Sequence, residues 1–549
     1  MKKSLKIYLL SFIVGILFLI VLYSLIMNKV KNPEVQNLPY YTFRTLLRIT
    51  VTLLISLAFG LSFGILVSMS KKASMIITPT FNIMQSIPIL GYFPAVLILF
   101  ISFFPGRVIG LELASIFLLF TSMVWSIFFG VVGAIKSIPI NIIDAAKAFN
   151  IKGLRFVTNV IIPAIIPALI SGSILAWCDG WFFMIAAEYI TYAGKIYSLP
   201  GLGSFLAKSV YVYSDTNLAI IILVLITAIV MFINHFTWHR LMDKVSSTGY
   251  MPLFKLGMFS LKEEKKLTKR RFQLHFKFRH KILPESKHKD YSLRQIIISV
   301  SIVALIFLIA IYTINKGILN LKTIKESILV PETFNLPVYT FFTLSRLTIA
   351  YLISLCLAIL MGVLAAEHKK FATIFYPLYD IGQAVPILAL FPILFVYLSQ
   401  IFGGRMGLEI TAIIMLVLDM IWYMFLNVVA AVKSIPEETR EVSKIFGFKG
   451  MNRIRHIILP AILPALITGS LLSWGTGWNT IIFAEYMPHG KEPLSIPGLG
   501  SFLSKEGYEK GNTILLVFIL FIISTIIILM EKFIWDKLLS KTKKYEIEA

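Results

Sequence analysis

Long apolar runs alternate with short polar or charged segments along the whole chain. An α-helix needs about 20 mostly apolar residues to cross the hydrocarbon core of a bilayer. The pattern therefore predicts an all-α, polytopic membrane protein with about twelve spans. The predicted spans are 7–28, 49–70, 87–104, 113–135, 160–187, 218–234, 296–314, 347–366, 386–401, 410–432, 457–484 and 514–530.

The first run, 7–28, follows Lys2 and Lys3 and resembles a signal peptide. It is long for that role, however, and no small-residue cleavage pattern follows it. We interpret it as a retained anchor.

Composition excludes a soluble protein, because 57% of the residues are hydrophobic and only 15% are charged. Soluble domains are nearer a quarter charged, and a soluble chain this apolar would expose large apolar patches. The two cysteines, Cys178 and Cys356, lie in apolar runs and indicate neither a disulfide framework nor a metal cluster.

The net charge of +24 has a topological explanation. Lysine and arginine are concentrated in 240–294, between the sixth and seventh predicted spans, and cytoplasmic loops of membrane proteins carry such an excess. Counting six spans in either direction then places both termini in the cytoplasm, in a cell (plasma or inner) membrane. No nucleic-acid partner is needed to explain the charge. The basic segment could also contact anionic membrane lipid or a partner protein.

The two sets of spans are copies of each other. Asn37-Leu38-Pro39 recurs as Asn335-Leu336-Pro337, and Lys136-Ser137-Ile138-Pro139 as Lys433-Ser434-Ile435-Pro436. Pro200-Gly201-Leu202-Gly203 recurs as Pro497-Gly498-Leu499-Gly500. We expect a first repeat over 1–239, a basic cytoplasmic linker over 240–294 and a second repeat over 295–549. Because each copy has an even number of spans, the repeats run through the membrane in parallel, which favours a transport pathway between them.

A short polar loop precedes the fifth span of each copy. Proline precedes the predicted loop helix in both copies. Asp144 or Glu441 lies in or near the first turns of this helix, where a carboxylate is favoured. Gly447 suits a left-handed turn at the end of the helix. Asn150, at the equivalent position, is the next-best residue for such a turn. Pro163 and Pro460 then open or kink the following helix. The pattern predicts a short helix along the cytoplasmic face with its polar side free for a partner.

These loops resemble the EAA loop of ABC importer permeases. The second copy keeps Glu441, Gly447, Leu459 and Pro460, and the first keeps Ala145, Ala146 and Pro163, with Asp144 and Asn150 as substitutes. Ala187-Glu188-Tyr189 and Ala484-Glu485-Tyr486 resemble the nitrate, sulfonate, taurine and bicarbonate permeases. The resemblance implies a type I ABC importer permease fold in two fused copies, and loops that dock on ATPase subunits. It also implies a small anionic solute.

The chain has no Gly-x-x-x-x-Gly-Lys-Ser/Thr loop to hold nucleotide phosphates. We therefore expect it to bind no cofactor and to lack ATPase activity. ATP and Mg would bind partner ATPase subunits, two of them, with a substrate-binding protein on the outer face. Alternating access between the two copies would then move the solute.

Ionisable and aromatic residues within the spans are candidates for the solute pathway. They are Trp177, Asp179, Trp181, Glu188, Trp474, Trp478 and Glu485. The tryptophans could instead pack in the interior, and Asp179, like Asp419, could be hydrogen-bonded to neighbouring helices. Glu188 and Glu485 lie at the outer ends of their spans and could shape the outer mouth. A carboxylate in an anion pathway is awkward because like charges repel. The glycines Gly172, Gly180, Gly469 and Gly477 fit close helix approach.

Two other functions stay open at this stage. One is an ion-coupled secondary transporter in which Asp179 and Asp419 bind a proton or cation. The other is a membrane assembly or signalling subunit that transports nothing.

Overall fold

The structure is a computed structural model. It describes residues 21, 23, 24, 26, 32–138, 140–213, 215–241, 301, 327, 328, 330–487, 493–535, 537 and 538. The predicted spans 7–28 and 296–314 lie outside the described residues apart from isolated positions. So does the linker beyond residue 241.

Helices account for most of the described chain and occur in the same order in both halves. The first half contains α1 Leu38–Met69, α2 Lys71–Ser86, α3 Ile89–Phe103, α4 Val108–Lys136, α5 Ile140–Ala148, α6 Ile162–Glu188, α7 Leu202–Tyr211 and α8 Thr216–Ile233. The second half contains α9 Leu336–Glu367, α10 Lys369–Ala384, α11 Ile387–Phe402, α12 Gly404–Ser434, α13 Glu437–Ile445, α14 Leu459–Glu485, α15 Leu499–Leu503 and α16 Thr513–Met530. The predicted all-α duplication is confirmed.

Eight of the described helical segments are long and apolar enough to cross a membrane. They contain α1, α4, α6, α8, α9, α12, α14 and α16. The predicted span 87–104 is the shorter helix α3, and its counterpart 386–401 is α11. The long helix α6, with 27 residues, extends about 40 Å at 1.5 Å per residue.

Equivalent residues set several of the helix boundaries in the two halves. Asp215 accepts a hydrogen bond from the backbone N–H of Leu218 at 2.9 Å and so caps α8. Asn512 accepts one from Leu515 at 3.1 Å and caps α16. A turn of π-helix, Val157–Ile161 or Ile454–Ile458, precedes α6 and α14, and Pro163 or Pro460 lies in the first turn of the α-helix that follows.

Each half is built around one central helix, α4 or α12. This helix packs against the first and third long helices of its half, α1 and α6 or α9 and α14. Small residues permit the approach: a Cβ on Gly172 would lie 2.8 Å from the carbonyl oxygen of Ser126, and a Cβ on Gly60 would lie 2.7 Å from Ile127 Cγ2. Gly180, Gly469 and Gly477 also lie at such crossings.

The last helix of each half packs on the other half. Helix α8 contacts α10 and α11, and α16 contacts α2 and α3. Gly91 of α3 lies against Leu520 of α16, so closely that a Cβ there would be 2.2 Å from Cδ2 of the leucine. One buried apolar core therefore runs through both halves.

Two short β-hairpins, which were not predicted, follow α6 and α14. Strand β1 Tyr189–Tyr192 pairs antiparallel with β2 Lys195–Ser198, and β3 Tyr486–Met487 pairs with β4 Leu494–Ser495. Ala193 and Gly194 connect β1 to β2 with φ of 49° and 72°, as a type I′ turn requires. We call this end of the molecule the hairpin end, and the opposite end, which carries α5 and α13, the loop end.

Candidate functional site

A cavity of about 420 Å³ lies between the two halves. Its wall includes residues of α2, α4 and α6 from the first half and of α10, α12, α14 and α16 from the second. The polar residues on this wall are Asn82, Gln85, Ser122, Ser126, Asp179, Gln383, Asp419, Tyr423, Thr476, Asn479 and Glu531. The size and the mixture of apolar and polar groups are typical of a small-molecule site.

Two aspartates, one from each half, lie on the cavity wall. Asp179 is half-buried, and the Ser126 hydroxyl is 3.4 Å from its Oδ2. Asp419 is 4% exposed and its Oδ2 accepts a hydrogen bond from the Thr480 hydroxyl at 2.9 Å. Hydroxyl residues occupy the repeat-equivalent positions, Thr476 for Asp179 and Ser122 for Asp419, and both line the cavity.

Of the seven predicted pathway residues, the structure brings Asp179 and Trp474 to the cavity wall. Trp177 instead packs edge-on against Trp181, with ring centroids 6.1 Å apart. Trp181 and Trp478 are each 1% exposed and lie in the packed core.

The other two, Glu188 and Glu485, lie in buried ion pairs away from the cavity. Glu188 Oε1 accepts hydrogen bonds from Arg48 Nη1 at 2.8 Å and from the Thr45 hydroxyl at 2.7 Å. Its Oε2 accepts one from the backbone N–H of Gly203 at 2.8 Å. Arg48 Nε and Nη2 donate to the two carboxylate oxygens of Glu112, at 2.7 and 2.8 Å. Glu188 thus joins α6 to α1 and α7, and Arg48 extends the network to α4.

The second half repeats this arrangement. Arg346 donates to Glu485 at 2.8 Å and to both carboxylate oxygens of Glu409 at 2.6 and 2.7 Å. Glu485 also accepts from the Thr343 hydroxyl at 2.7 Å and from the N–H of Gly500 at 2.8 Å. The recurring Pro-Gly-Leu-Gly motif is therefore explained by the backbone that must approach this carboxylate.

Arg48, Arg346, Glu112 and Glu409 were not predicted as functional residues from the sequence. The sequence contained a signal for them, because Arg48 recurs in register as Arg346, and Glu112 as Glu409, inside or beside an apolar span. An arginine in such a span requires a partner, and Glu188 and Glu485 were already noted as recurring carboxylates.

The loop end carries α5 and α13, the two short loop helices predicted from the sequence; these are called the coupling helices below. Asn150 has φ of 54° and Gly447 has φ of 70°, so both residues take the predicted left-handed conformation. The N–H of the following residue bonds back to the helix in each copy, Ile151 to Ala146 at 2.9 Å and Phe448 to Ser443 at 3.0 Å. Asp144, Ala145 and Glu441 are exposed, whereas Ala146 is buried.

Large apolar side chains project from these loops at equivalent positions. Phe149 and Leu154 are each 79% exposed, and their counterparts Phe446 and Met451 are each 74% exposed. Exposed apolar residues grouped in this way mark a protein-interaction surface.

The two loops differ in the ion pairs that hold them to the rest of the molecule. Glu367, at the end of α9, forms ion pairs with Arg453 at 2.8 Å and with Arg440 at 3.6 Å. Arg440 also donates to the carbonyl oxygen of Val432 at 2.6 Å. The equivalent first-half positions are occupied by Met69, Ile143 and Phe156, which cannot form these bonds.

Contacts at the hairpin end join the two halves directly. The backbone N–H of Ala193 bonds to the carbonyl oxygen of Tyr508 at 2.6 Å. The Tyr192 hydroxyl donates to the carbonyl oxygen of Gly511 and lies within hydrogen-bonding distance of the Thr513 hydroxyl, both at 3.1 Å. Burial raises the pKa of Tyr192, so that its hydroxyl keeps the proton it donates.

Nearer the cavity, Asn479 of α14 caps helix α3 of the other half. Its side-chain oxygen accepts a hydrogen bond from the N–H of Ile89 at 2.8 Å, at the first residue of α3. The repeat-equivalent residue is Phe182, which has no such acceptor.

Paired membrane-spanning halves, a cavity between them and two equivalent exposed loops define an integral membrane transport component. Residues 56–244 and 358–541 both match the family described as binding-protein-dependent transport system inner membrane component. These matches cover more than half of the chain, and the chain belongs to this family. It is a multi-pass membrane protein whose family members are permease subunits.

The individual relatives share about a quarter of the aligned residues with this chain. The chain is 24% identical over 195 residues to the bicarbonate transport system permease protein CmpB of Synechococcus elongatus, and the alignment covers 36% of this chain and 66% of that protein. It is 27% identical over 170 residues to the nitrate import permease protein NrtB of Leptolyngbya laminosa, covering 31% and 56%. A Bacillus subtilis protein named for aliphatic sulfonates transport, SsuC, is 27% identical over 165 residues, covering 30% and 56%. The chain thus spans roughly half to two thirds of the length of these relatives.

Proposed function

We propose that this chain is the transmembrane permease subunit of an ATP-binding-cassette importer and forms the solute pathway from its own two halves. The observation that carries the proposal is the pair of equivalent loops at one end of a duplicated membrane fold. Each loop presents a short helix, a left-handed turn and exposed apolar side chains. The names of the relatives, which are permeases of bicarbonate, nitrate and sulfonate transport, support the same class of machine and suggest a small anion as the solute.

The partners proposed are two cytoplasmic ATPase subunits and a substrate-binding protein on the opposite face. One ATPase would bind the loop that contains Asp144, Ala145, Ala146 and Asn150, and the other would bind the loop that contains Glu441 and Gly447. ATP and Mg would bind these subunits. Closure of the ATPases would draw α5 and α13 together and open the contacts at the hairpin end, which is alternating access.

The proposed orientation places the loop end, both termini and the 240–294 linker in the cytoplasm. Described basic residues at the loop end include Lys72, Lys152, Arg155, Lys369 and Lys370, in agreement with the preference of cytoplasmic loops for lysine and arginine. Proteolysis of the linker in inverted vesicles, but not in intact cells, tests this orientation.

Purification of the full chain from its native membranes tests the function. Wild-type protein is expected to retain an ATP-hydrolysing subunit. Phe149→Asp together with Phe446→Asp is expected to lose it, because carboxylates replace both apolar contacts. Val212→Asp, which changes an apolar residue that is 55% exposed at the hairpin end, is the matched control. Full retention of the ATPase by the double variant would exclude docking through these loops.

A further inference from the structure

Two carboxyl groups, those of Asp179 and Asp419, face the cavity from opposite halves. Among the described residues that line the cavity there is no lysine, arginine or histidine. A carboxylate inside a membrane protein is normally paired with a positive group. Here the hydroxyl groups of Ser126 and Thr480 are hydrogen-bonding partners of the two aspartates, and neither carries charge.

The same wall is rich in aromatic rings. Trp125 and Trp422 occupy equivalent positions of the two repeats, and Tyr423, Trp474 and Trp535 lie on the second-half side. The indole N–H groups of Trp422, Trp474 and Trp535 have no acceptor among the described residues, although each side chain is more than nine-tenths buried. Indole faces attract cations, and aromatic walls accept planar rings.

The volume of the cavity also favours an organic ligand over a small inorganic ion. A volume of about 420 Å³ is within the range of sites for organic ligands, and a four-atom ion such as nitrate would fill a small part of it. An anion would also have to approach two aspartates without a compensating cation, and like charges at close range repel strongly in a low-dielectric interior.

We infer that the cavity receives an organic cation with a planar ring, and that Asp179 and Asp419 provide its counter-charge. This inference rests on the proposed importer function and replaces only the solute that the relatives suggest. The positively charged group lies between the aspartates, the ring lies against the tryptophans, and the side-chain amides of Gln85 and Gln383, which are repeat equivalents, supply hydrogen bonds. The anion-transporting relatives differ from this chain at about three quarters of the aligned positions, so a change of solute is compatible with shared membership of the family.

Three probes of similar shape and different charge test the inference. They are benzyltrimethylammonium, benzyl alcohol and benzenesulfonate, each titrated against the full chain in lipid nanodiscs with intrinsic tryptophan fluorescence as the readout. We expect saturable quenching by the cation and weaker or no quenching by the anion. Asp179→Asn and Asp419→Asn should each weaken cation binding by about tenfold or more, since a hydrogen-bonded charge contact is worth about 1.5–3 kcal/mol.

The controls separate charge recognition from damage to the fold. Glu437→Gln removes a carboxylate from α13, outside the cavity, and should leave all three titrations unchanged. Binding of benzyl alcohol should be the same in wild type and both aspartate variants, which shows that the cavity persists. Two outcomes would overturn the inference: benzenesulfonate binding as tightly as the cation, or no saturable binding of the cation at millimolar concentration. Unchanged cation affinity in the aspartate variants would overturn it too. None of these outcomes affects retention of the ATPase, so the importer function is judged separately.

Discussion

The carboxylate of Glu188 occupies the space that a side chain on Gly201 would need. A Cβ at position 201 would lie 2.1 Å from Glu188 Oε2, and a Cβ on Gly498 would lie 2.2 Å from Glu485 Oε2. The second glycine of the motif, Gly203, donates its N–H to the same Glu188 oxygen at 2.8 Å. The Pro-Gly-Leu-Gly segment is thus a backbone receptor for a buried carboxylate, present once in each half.

Gly201→Ala is expected to destabilise the first half. Since Glu188 is held by Arg48 and Thr45 and cannot retreat, the methyl group must displace backbone, at a cost of about 1–3 kcal/mol. Thermal unfolding of the purified chain should show a lower midpoint. Gly133→Ala is the matched control, because Gly133 lies in helix α4 with open space around its Cβ position and alanine favours helix by up to about 1 kcal/mol. Equal midpoints for the two variants would contradict the close approach.

Arg48→Met should destabilise the fold more severely. It removes the positive partner of Glu188 and leaves Glu112 with Arg44 alone, and breaking one side of a buried ion pair costs roughly 3–5 kcal/mol. Lys208→Met offers the comparison: Lys208 pairs with Glu34 at 3.3 Å with both side chains more than a quarter exposed, where a pair contributes about 1 kcal/mol or less. Denaturant unfolding of the two variants measures the difference, and a loss for Arg48→Met as small as that for Lys208→Met would show that the buried network is dispensable.

Local backbone chemistry made much of this fold predictable. The apolar runs predicted the spans, and Asn150 and Gly447 were correctly expected in left-handed turns because few residue types tolerate a positive φ. The β1–β2 hairpin was not predicted, since Ala193 takes a positive φ at a position where Asn, Asp or Gly is the usual signal.

The site was harder to predict than the spans. Asp179 and Trp474 were expected on the pathway and lie on the cavity wall, but Glu188 was expected there for the same reason, its position in an apolar helix. Asp179 and Glu188 differ in the face of α6 that each occupies and in whether an arginine from α1 faces it. That is set by packing between helices far apart in sequence, which the periodicity of a single helix does not reveal.

Glu367→Gln should loosen only one of the two coupling helices. The glutamate fastens α13 through Arg440 and Arg453, and the first half has no equivalent ion pair because Met69, Ile143 and Phe156 occupy those positions. Hydrogen exchange should accelerate severalfold over 437–445 and stay unchanged over 140–148, in keeping with about 1 kcal/mol for a partly exposed network. Equal acceleration in both helices would indicate a global effect rather than a local fastening.

Glu441→Ala with Gly447→Pro is expected to uncouple ATP hydrolysis from transport while leaving the chain in the membrane. Proline cannot adopt the φ of 70° found at position 447, so the turn that positions the exposed Phe446 is lost. Solute-stimulated ATPase activity of the purified complex measures coupling. Glu332→Ala with Gly404→Pro is the control, because Glu332 lies outside α13 and proline is tolerated at Gly404, the first residue of α12. Normal stimulation in the Glu441/Gly447 variant would remove this loop from the coupling mechanism.

A disulfide across the hairpin end should lock the two halves together. A Cβ on Gly511 would lie 3.0 Å from the Cβ of Ala193, and a disulfide needs about 3.5–4.5 Å, so a small shift brings Ala193→Cys and Gly511→Cys within bonding distance. The cysteine at position 511 must also take a φ of 69°, which costs roughly 1–2 kcal/mol. The variant is made in a background with Cys178→Ala and Cys356→Ala. Oxidation should keep the halves joined on a non-reducing gel after proteolysis of the 240–294 linker.

If alternating access opens this end, oxidation should also abolish uptake, and reduction should restore it. Each single-cysteine variant should transport normally under both conditions. Full uptake by the cross-linked protein would show that the contacts of Tyr192 and Ala193 stay closed throughout transport, and that the solute passes elsewhere.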